Sequence, residues 1–103
     1  MKKILLSEDA FADLNKGFLF YEAQEFGLGD YFTACLRADI EGLKITAGIH
    51  REMHGFHRIL SRVFPHGIFY TIKGDEATIW AVIDLRRNPN WISARLRTAS
   101  ASS

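Results

Sequence analysis

The stretch that decides the fold is residues 56–85, FHRILSRVFPHGIFYTIKGDEATIWAVIDL. Two turn sequences, Pro-His-Gly at 65–67 and Gly-Asp at 74–75, divide it into three segments rich in β-branched and aromatic residues. Short turns join neighbouring strands that run in opposite directions. We therefore predict an antiparallel meander of three strands, at residues 56–64, 68–73 and 77–85.

The third strand of this meander is apolar on both of its faces. Strand alternation places Ile79, Ala81 and Ile83 on one face, and Trp80 and Val82 on the other. Strands that are buried on both faces lie inside a sheet. We therefore expect this strand to have a neighbour on each side.

The N-terminal half predicts a short strand followed by a helical hairpin. A strand at residues 3–6 precedes Ser7, whose hydroxyl is placed to cap a first helix that ends at the Gly-Leu-Gly of residues 27–29. A second helix begins at Asp30 and ends near Gly48. The short link between the helices predicts that they are antiparallel.

The C-terminal part predicts a third helix, with Asn88 as its cap and Pro89 at its first position. Residues 98–103 are small and polar, and we expect a disordered tail there. Residues 49–55 are expected to be irregular. The order β-α-α-β-β-β-α predicts an α+β fold of two layers, in which the N-terminal strand and helical hairpin pack on a mainly antiparallel sheet. Residues 1–97 are then a single domain.

Composition excludes several classes of protein. Hydrophobic residues make up 48% of the 103 residues and charged residues 24%, which is typical of a globular protein and not of a disordered one. No apolar run is long enough to span a membrane. The basic start is followed at once by Ser7 and two acidic residues, so we expect no signal peptide. With a single cysteine, Cys35, the chain is expected to be cytoplasmic.

Charge is distributed unevenly between the two halves of the chain. Residues 1–49 contain five basic and eight acidic residues, and residues 50–103 contain eight basic and four acidic residues. Seven of those eight basic residues are arginine, which binds carboxylates and phosphates through two hydrogen bonds at once. The second half therefore suits an anionic partner, although a solvated sheet face explains the same pattern.

One constellation of basic and aromatic residues carries the site prediction. We expect two arginines to share a face of the first meander strand and two more to end the third strand, where one points outward and the other pairs with an acid such as Asp84. Such a surface would hold an RNA backbone or a target protein. The alternative is that the strand arginines pair with acids of the first helix or of a partner. The predicted site comprises Arg58, Arg62, Tyr70, Lys73, Arg86, Arg87 and Trp91.

The histidines and the cysteine do not indicate a metal or catalytic site. His50, His54 and His57 are spaced by four and three residues, as metal ligands on one helix face would be, but Gly55 interrupts the helix. We therefore predict no metal site, and we find no motif for a cofactor. His66 is expected to be a solvent-facing turn residue, and Cys35 a small buried side chain.

Five short motifs resemble those of one protein family. They are YE at 21–22 with GLG at 27–29, FPHGIFY at 64–70, GD at 74–75, IWAV at 79–82 and RRNPNW at 86–91. Together with the order of helices and strands, they resemble the RelE/ParE superfamily of bacterial toxins over residues 3–97. The resemblance implies a growth-inhibiting, cytoplasmic toxin of a type II toxin–antitoxin or plasmid stabilisation system. Such a toxin forms a hetero-oligomer with its cognate antitoxin.

The superfamily has two branches with different targets. RelE-like members are endoribonucleases that cut mRNA on the ribosome with basic residues and often a C-terminal Tyr or His, whereas ParE-like members poison DNA gyrase. By this resemblance, Arg58 or Arg62 matches the strand arginine of the family, and Arg86 or Arg87 matches the arginine that ends the last strand. No Tyr or His follows Arg87.

The missing proton donor favours the ParE-like branch, in which the chain is not an enzyme. His57 or His66 would be the substitute in a RelE-like enzyme, but the sequence places neither of them beside the arginines. A third possibility is a toxin-fold remnant that only binds its antitoxin.

Overall fold

The structure is a computed structural model that describes residues 1–102, with the side chains of residues 1–101. It confirms the α+β class and the order of the main elements, and it adds a short helix and a short strand between the hairpin and the meander. The elements are β1 (Lys3–Leu6), α1 (Glu8–Gln24), α2 (Leu28–Glu41), α3 (Leu43–Thr46), β2 (Glu52–Met53), β3 (Phe56–Leu60), β4 (His66–Lys73), β5 (Glu76–Asp84) and α4 (Pro89–Ser102).

The five strands form one sheet in the order β1-β5-β4-β3-β2. β1 is parallel to β5, and the other pairs are antiparallel, as the meander predicts. β5 has a neighbour on each side, which confirms its predicted position inside the sheet. The segment expected to be irregular contains β2, because Glu52 and Met53 pair with His57 and Phe56.

The first meander strand is shorter than predicted, because the chain leaves the sheet after Leu60. The Ser61 amide donates to the carbonyl of His66, and the Ser61 hydroxyl accepts from the Phe64 amide. These bonds close a loop before β4, so that residues 61–64 do not extend β3. β4 in turn begins at His66, two residues earlier than predicted.

A β-bulge at Trp80 changes which side chains of β5 share a face. Phe69 pairs with Ala81 and Tyr70 with Ile79, so Trp80 has no opposing residue in the β4–β5 ladder, although its indole nitrogen donates to the Thr71 hydroxyl at 2.8 Å. Beyond the bulge the alternation is reversed. Ile79 and Val82 therefore belong to one core cluster, and Ala81 belongs to the other. The prediction that Ile79, Ala81 and Ile83 share a face is wrong for this reason.

The helical hairpin covers the face of the sheet that carries Ile79 and Val82. The predicted cap is present, since the Ser7 hydroxyl accepts from the Ala10 amide at 3.0 Å. At the turn between the helices, the Glu22 carboxylate accepts from the amides of Gly27 and Gly29, both at 2.9 Å. The buried side chains from α1 and α2 in this core are Ala10, Tyr21, Phe32 and Leu36.

Helix α4 packs on the face of the sheet opposite to the helical hairpin. Leu96 and Ala99 contact a cluster that includes Phe69, Ala81 and Ile83. Ala99 is only 1% exposed. Residues 98–102 are therefore helical, where the sequence predicted a disordered tail, and Ser103 lies outside the described residues.

Among the described residues, no helix is long and apolar enough to cross a membrane.

The hairpin makes one sharp prediction about stability. A Cβ atom on Gly29 would lie 2.6 Å from the Phe18 carbonyl oxygen, which is backbone of the facing helix and cannot move aside. We expect Gly29→Ala to lower the free energy of unfolding by about 1–3 kcal/mol in urea denaturation. Gly42→Ala is the matched control, since its Cβ would lie 3.4 Å from the nearest atom at an ordinary helical φ of −60°. Equal stability of the two variants would contradict this account of the hairpin.

Candidate functional site

Arg86 and Arg87 follow β5 directly, and their side chains have different surroundings. Arg86 binds Asp84, with Nε 3.0 Å from Oδ1 and Nη2 2.7 Å from Oδ2, and its side chain remains 59% exposed. Its Nη2 also lies 3.4 Å from the hydroxyl of Tyr21 on α1. These hydrogen bonds from Arg86 lower the pKa of Asp84, although partial burial opposes the shift. Arg86 is thus the arginine that pairs with Asp84, and it does so at the surface of the protein.

Arg87 is exposed and stacks on an aromatic ring instead. Its guanidinium carbon lies 3.7 Å from the ring centroid of Trp91, which is a cation–π contact. It has no carboxylate within ion-pair distance in the described part of the chain. The next residue, Asn88, caps α4 by accepting from the Asn90 amide at 2.8 Å, as predicted. Arg87 therefore presents an unneutralised charge from a well-ordered turn.

His66 lies beside these residues and is buried. It pairs with Asp84 in the ladder between β4 and β5, it contacts the rings of Tyr21 and Phe32, and it is 6% exposed. Burial lowers the pKa of His66 below its usual value; Asp84 opposes this shift and Arg86 adds to it. Nδ1 has no hydrogen-bond partner among the described residues. The prediction of a solvent-facing turn residue is wrong, because β4 begins at His66.

A cleft of about 410 Å³ brings part of the predicted site together with residues that the sequence did not indicate. Arg87 and Trp91 belong to the predicted site. The added residues come from α1, from the start of β4 and from α4, and only the pairing of distant elements makes them neighbours. Prominent lining residues are Lys16, Phe20, His66, Arg87, Trp91 and Arg95.

A largely buried ion pair holds the two helical walls of this cleft on β5. Asp13 of α1 binds Arg95 of α4 at 2.8 Å, and both side chains are 14% exposed. The Asp13 carboxylate also accepts from the Val82 amide at 2.9 Å, and Arg95 donates to the Trp80 carbonyl at 3.2 Å. β1 ends opposite Ile79, so it does not pair with the Trp80 carbonyl or the Val82 amide of β5. Burial raises the pKa of Asp13, and the Val82 amide and Arg95 oppose the shift.

Arg58 and Arg62 are not brought into the cleft, and they do not share a strand face. Arg58 lies opposite Phe69 in the β3–β4 ladder. Arg62 follows the end of β3, and its Nε lies 3.2 Å from the buried carboxylate of Asp39 on α2. The alternative reading, in which a strand arginine pairs with an acid, is therefore correct for Arg62, with the acid on the second helix instead of the first.

Tyr70 and Lys73 are also separate from the cleft. The Tyr70 side chain is fully buried in the core, so the prediction that it contacts a target is wrong. Lys73 is the last residue of β4, at the opposite end from His66. Seven residues of extended strand separate the two by about 23 Å. Lys73 therefore cannot act together with Arg87 at one small site.

A second concave surface lies between β1 and the helical hairpin. This apolar groove has a volume of about 500 Å³. It lies beside β1, the strand at one edge of the sheet, and it contains exposed apolar side chains such as Phe11, which is 67% exposed. The apolar residues that line it are Ile4, Leu6, Phe11, Leu14, Phe18 and Ile40.

The remaining candidates show no metal site. The described residues contain no group of three His, Cys, Asp or Glu side chains placed to hold a metal ion. Cys35 is half-buried against the core of the hairpin. His50 and His57 lie in a different cluster around Tyr70.

Comparison with solved structures shows a likeness of fold. No protein-family model matches the sequence, and no curated protein matches it. Among solved structures, the chain is similar to a chain from the chromosomal ParDE TA system of P. aeruginosa, with a TM-score of 0.66 and 17% sequence identity. The match covers 80% of this chain and 94% of that one. The fold is the same. At this identity the likeness establishes the fold and leaves the activity to be argued from the site.

The buried ion pair yields a second stability prediction. We expect Arg95→Ala to lower the free energy of unfolding by about 3 kcal/mol, because it leaves the Asp13 carboxylate buried without its cation. Glu41→Gln, which breaks the exposed pair with Lys44, should change it by less than about 1 kcal/mol. Urea denaturation of both variants measures the difference. Similar small losses in the two would show that Asp13 and Arg95 are not a stabilising pair.

His66 yields a prediction about pH. Because its pKa is lowered in the folded state, its contribution to stability is complete above about pH 6.5 and is lost as pH falls towards the lowered value. We expect the fall in melting temperature between pH 7.5 and 5.5 to be smaller in His66→Phe than in the wild type. The exposed His54, replaced by Asn, is the control and should leave the wild-type fall unchanged. Asp84 and Arg86 face His66 and remain charged over this range, so they do not produce the difference.

Proposed function

We propose that this protein is the toxin of a type II toxin–antitoxin system. The observation that carries the proposal is the shared fold, which covers nearly the whole of a chain from a ParDE TA system. The motifs at residues 64–70 and 86–91 support it, because they resemble those of RelE/ParE toxins. The toxin domain then extends through the whole of α4, whose Ala99 is buried in the core, in a bacterial protein that acts in the cytoplasm without a cofactor.

The proposed partner is a cognate antitoxin that binds the apolar groove beside β1. An amphipathic helix buries its apolar face in such a groove, and an extended segment pairs with an exposed strand edge. The groove offers both, since β1 is an edge strand and the exposed ring of Phe11 lies on α1. The toxin and antitoxin would then form a hetero-oligomer.

This partner surface can be tested with one pair of variants. Phe11→Asp places a charge in the groove, and we expect at least a tenfold loss of affinity for the product of the neighbouring small gene. Leu19→Asp is the matched control on the same helix, because Leu19 is 58% exposed and does not line the groove. Isothermal titration measures both affinities. Equal affinities would place the antitoxin elsewhere.

We propose DNA gyrase as the target, as in the ParE-like branch. Arg87 on Trp91 supplies a rigid, exposed cation for a protein contact, and no Tyr or His follows it in the sequence. The chain then acts as a gyrase poison and not as an enzyme. Of the residues predicted as a target surface, we retain Arg87 and Trp91, with Arg58, a half-buried residue of β3, as a further candidate.

One observation favours a second candidate, a RelE-like endoribonuclease that cuts mRNA on the ribosome. His66 lies in the cleft with Arg87, and its lowered pKa keeps the imidazole neutral at pH 7, as a general base requires. Its side chain is almost completely buried, however, and a phosphodiester would not reach it without movement of the walls. The nuclease therefore ranks second.

Two assays separate these proposals. Expression of the chain alone should arrest bacterial growth, and co-expression of the neighbouring gene should restore it. The purified chain should block supercoiling by gyrase and leave ribosome-bound mRNA intact. Codon-specific cleavage of mRNA with gyrase unaffected would establish the nuclease instead. Normal growth at high expression of folded protein would indicate an antitoxin-binding remnant without toxicity.

The two neighbouring arginines give the sharpest test of the site. Arg87→Ala should abolish growth arrest while changing the free energy of unfolding by less than about 0.5 kcal/mol, because its side chain is at the surface. Arg86→Ala should lower the melting temperature, because Asp84 loses its cation, and should reduce toxicity only in proportion to the folded fraction. If both variants remain fully toxic and fully stable, Arg87 is not a contact residue.

A further inference from the structure

Three aromatic and titratable side chains form a cluster far from the cleft. The Tyr70 hydroxyl accepts a hydrogen bond from the Gly48 amide at 3.0 Å and is also hydrogen-bonded to Nδ1 of His50. The ring of His57 stacks on the Tyr70 ring with 5.2 Å between centroids. Nδ1 of His57 donates to the carbonyl of His50 at 2.8 Å. The cluster thus joins the chain after α3 to β3 and β4.

The arrangement of donors defines the protonation state of His50. The Gly48 amide donates to the Tyr70 hydroxyl, and Nδ1 of His50 is the described group within hydrogen-bond distance that can accept the proton of that hydroxyl. In this arrangement Nδ1 of His50 carries no proton. An imidazolium at His50 would instead present a second donor to the hydroxyl and leave the Tyr70 proton without an acceptor in the core.

Outside this cluster, residues 48–55 are attached to the sheet by the β2–β3 pairs and by a hydrogen bond from the Arg58 amide to the Arg51 carbonyl at 3.0 Å. β2 within this segment is two residues long, and its pairs with β3 are its ladder contacts. Ile49 is 77% exposed, and His54 and Gly55, whose positive φ angles of 55° and 83° form the two-residue turn between β2 and β3, are exposed as well. A segment with few buried contacts opens at a lower free energy than the core. The hydrogen bonds to Tyr70 are therefore the main attachment of its N-terminal end.

We propose that Tyr70, His50 and His57 form a proton-operated latch that holds residues 48–55 on the sheet, and that protonation of His50 releases this segment. The titratable groups that face His50 are His57 from β3 and Tyr70 from β4, and no carboxylate among the described residues offsets an imidazolium there. Burial lowers the pKa of His50, and His57 adds to the shift. The latch is closed above about pH 6.5 and opens as pH falls below that value.

Release has a definite structural consequence. β2 is the outer neighbour of β3, so its departure leaves the amide and carbonyl groups of that edge unpaired. An unpaired strand edge accepts a strand from another polypeptide. Acidification therefore converts this side of the sheet from a closed edge to one able to pair. The latch does not depend on the toxin proposal, because its residues line neither the cleft nor the groove.

Amide hydrogen exchange measured by NMR tests the latch residue by residue. After correction for the intrinsic exchange rate, we expect the protection of Gly48 and of residues 52–57 to fall several-fold between pH 7.5 and 5.5, up to the limit of about tenfold that one histidine with an open-state pKa of about 6.5 can produce. The protection of α1 and α2 should not change. His50→Asn supplies an amide oxygen as a non-titrating acceptor at the place of Nδ1. This variant should keep the segment protected at both pH values.

Two further variants complete the experiment. Tyr70→Phe removes the hydroxyl, and the segment should exchange fast at both pH values while α1 remains protected. His54→Asn removes a histidine of the same segment that makes no hydrogen bond to the cluster, so it should retain the wild-type pH dependence. The proposal fails if wild-type protection is the same at both pH values. It also fails if His50→Asn loses protection on acidification as the wild type does, or if protection falls equally over the whole chain.

Discussion

The carboxylate of Asp13 is the constraint on which the arrangement of the helices depends. β1 stops opposite Ile79, and beyond that point the edge of β5 would have unpaired amide and carbonyl groups inside the protein. Asp13 satisfies the Val82 amide from one side, and its partner Arg95 satisfies the Trp80 carbonyl. One ion pair thus replaces the missing continuation of a strand and attaches α1 and α4 to β5.

The cleft follows from the same pair. Lys16 lies three residues after Asp13 on α1, and Trp91 lies four residues before Arg95 on α4, so each shares a helix face with its half of the pair. The distance between α1 and α4 therefore sets the width of the cleft that Lys16, Phe20 and Trp91 line. A change at the ion pair would move a binding surface that the pair does not itself form.

Arg86 and Arg87, which follow β5, make different kinds of contact. Arg86 binds Asp84 and reaches Tyr21, which closes the end of the sheet against the hairpin. Arg87 lies on Trp91 and remains free to bind an anion or an acidic side chain. A stacked guanidinium on a capped helix loses little freedom on binding, which is the property of a well-prepared contact residue. The two histidines with lowered pKa values lie in different places. His66 is the first residue of β4, whereas His50 contacts Tyr70, four residues further along that strand.

The sequence by itself determined the class of the fold, the hairpin, the meander and the capped last helix, because those features depend on short-range signals: caps, turn residues and periodicity. The motifs also indicated the family likeness that the solved ParDE chain supports at the level of the fold. Only the tertiary structure decided the partners of each side chain. The bulge at Trp80 reverses the alternation of β5, and the register of β4 places His66 beside Asp84 and buries Tyr70. A bulge and a register depend on the packing of elements that are distant in sequence, so no local pattern reveals them.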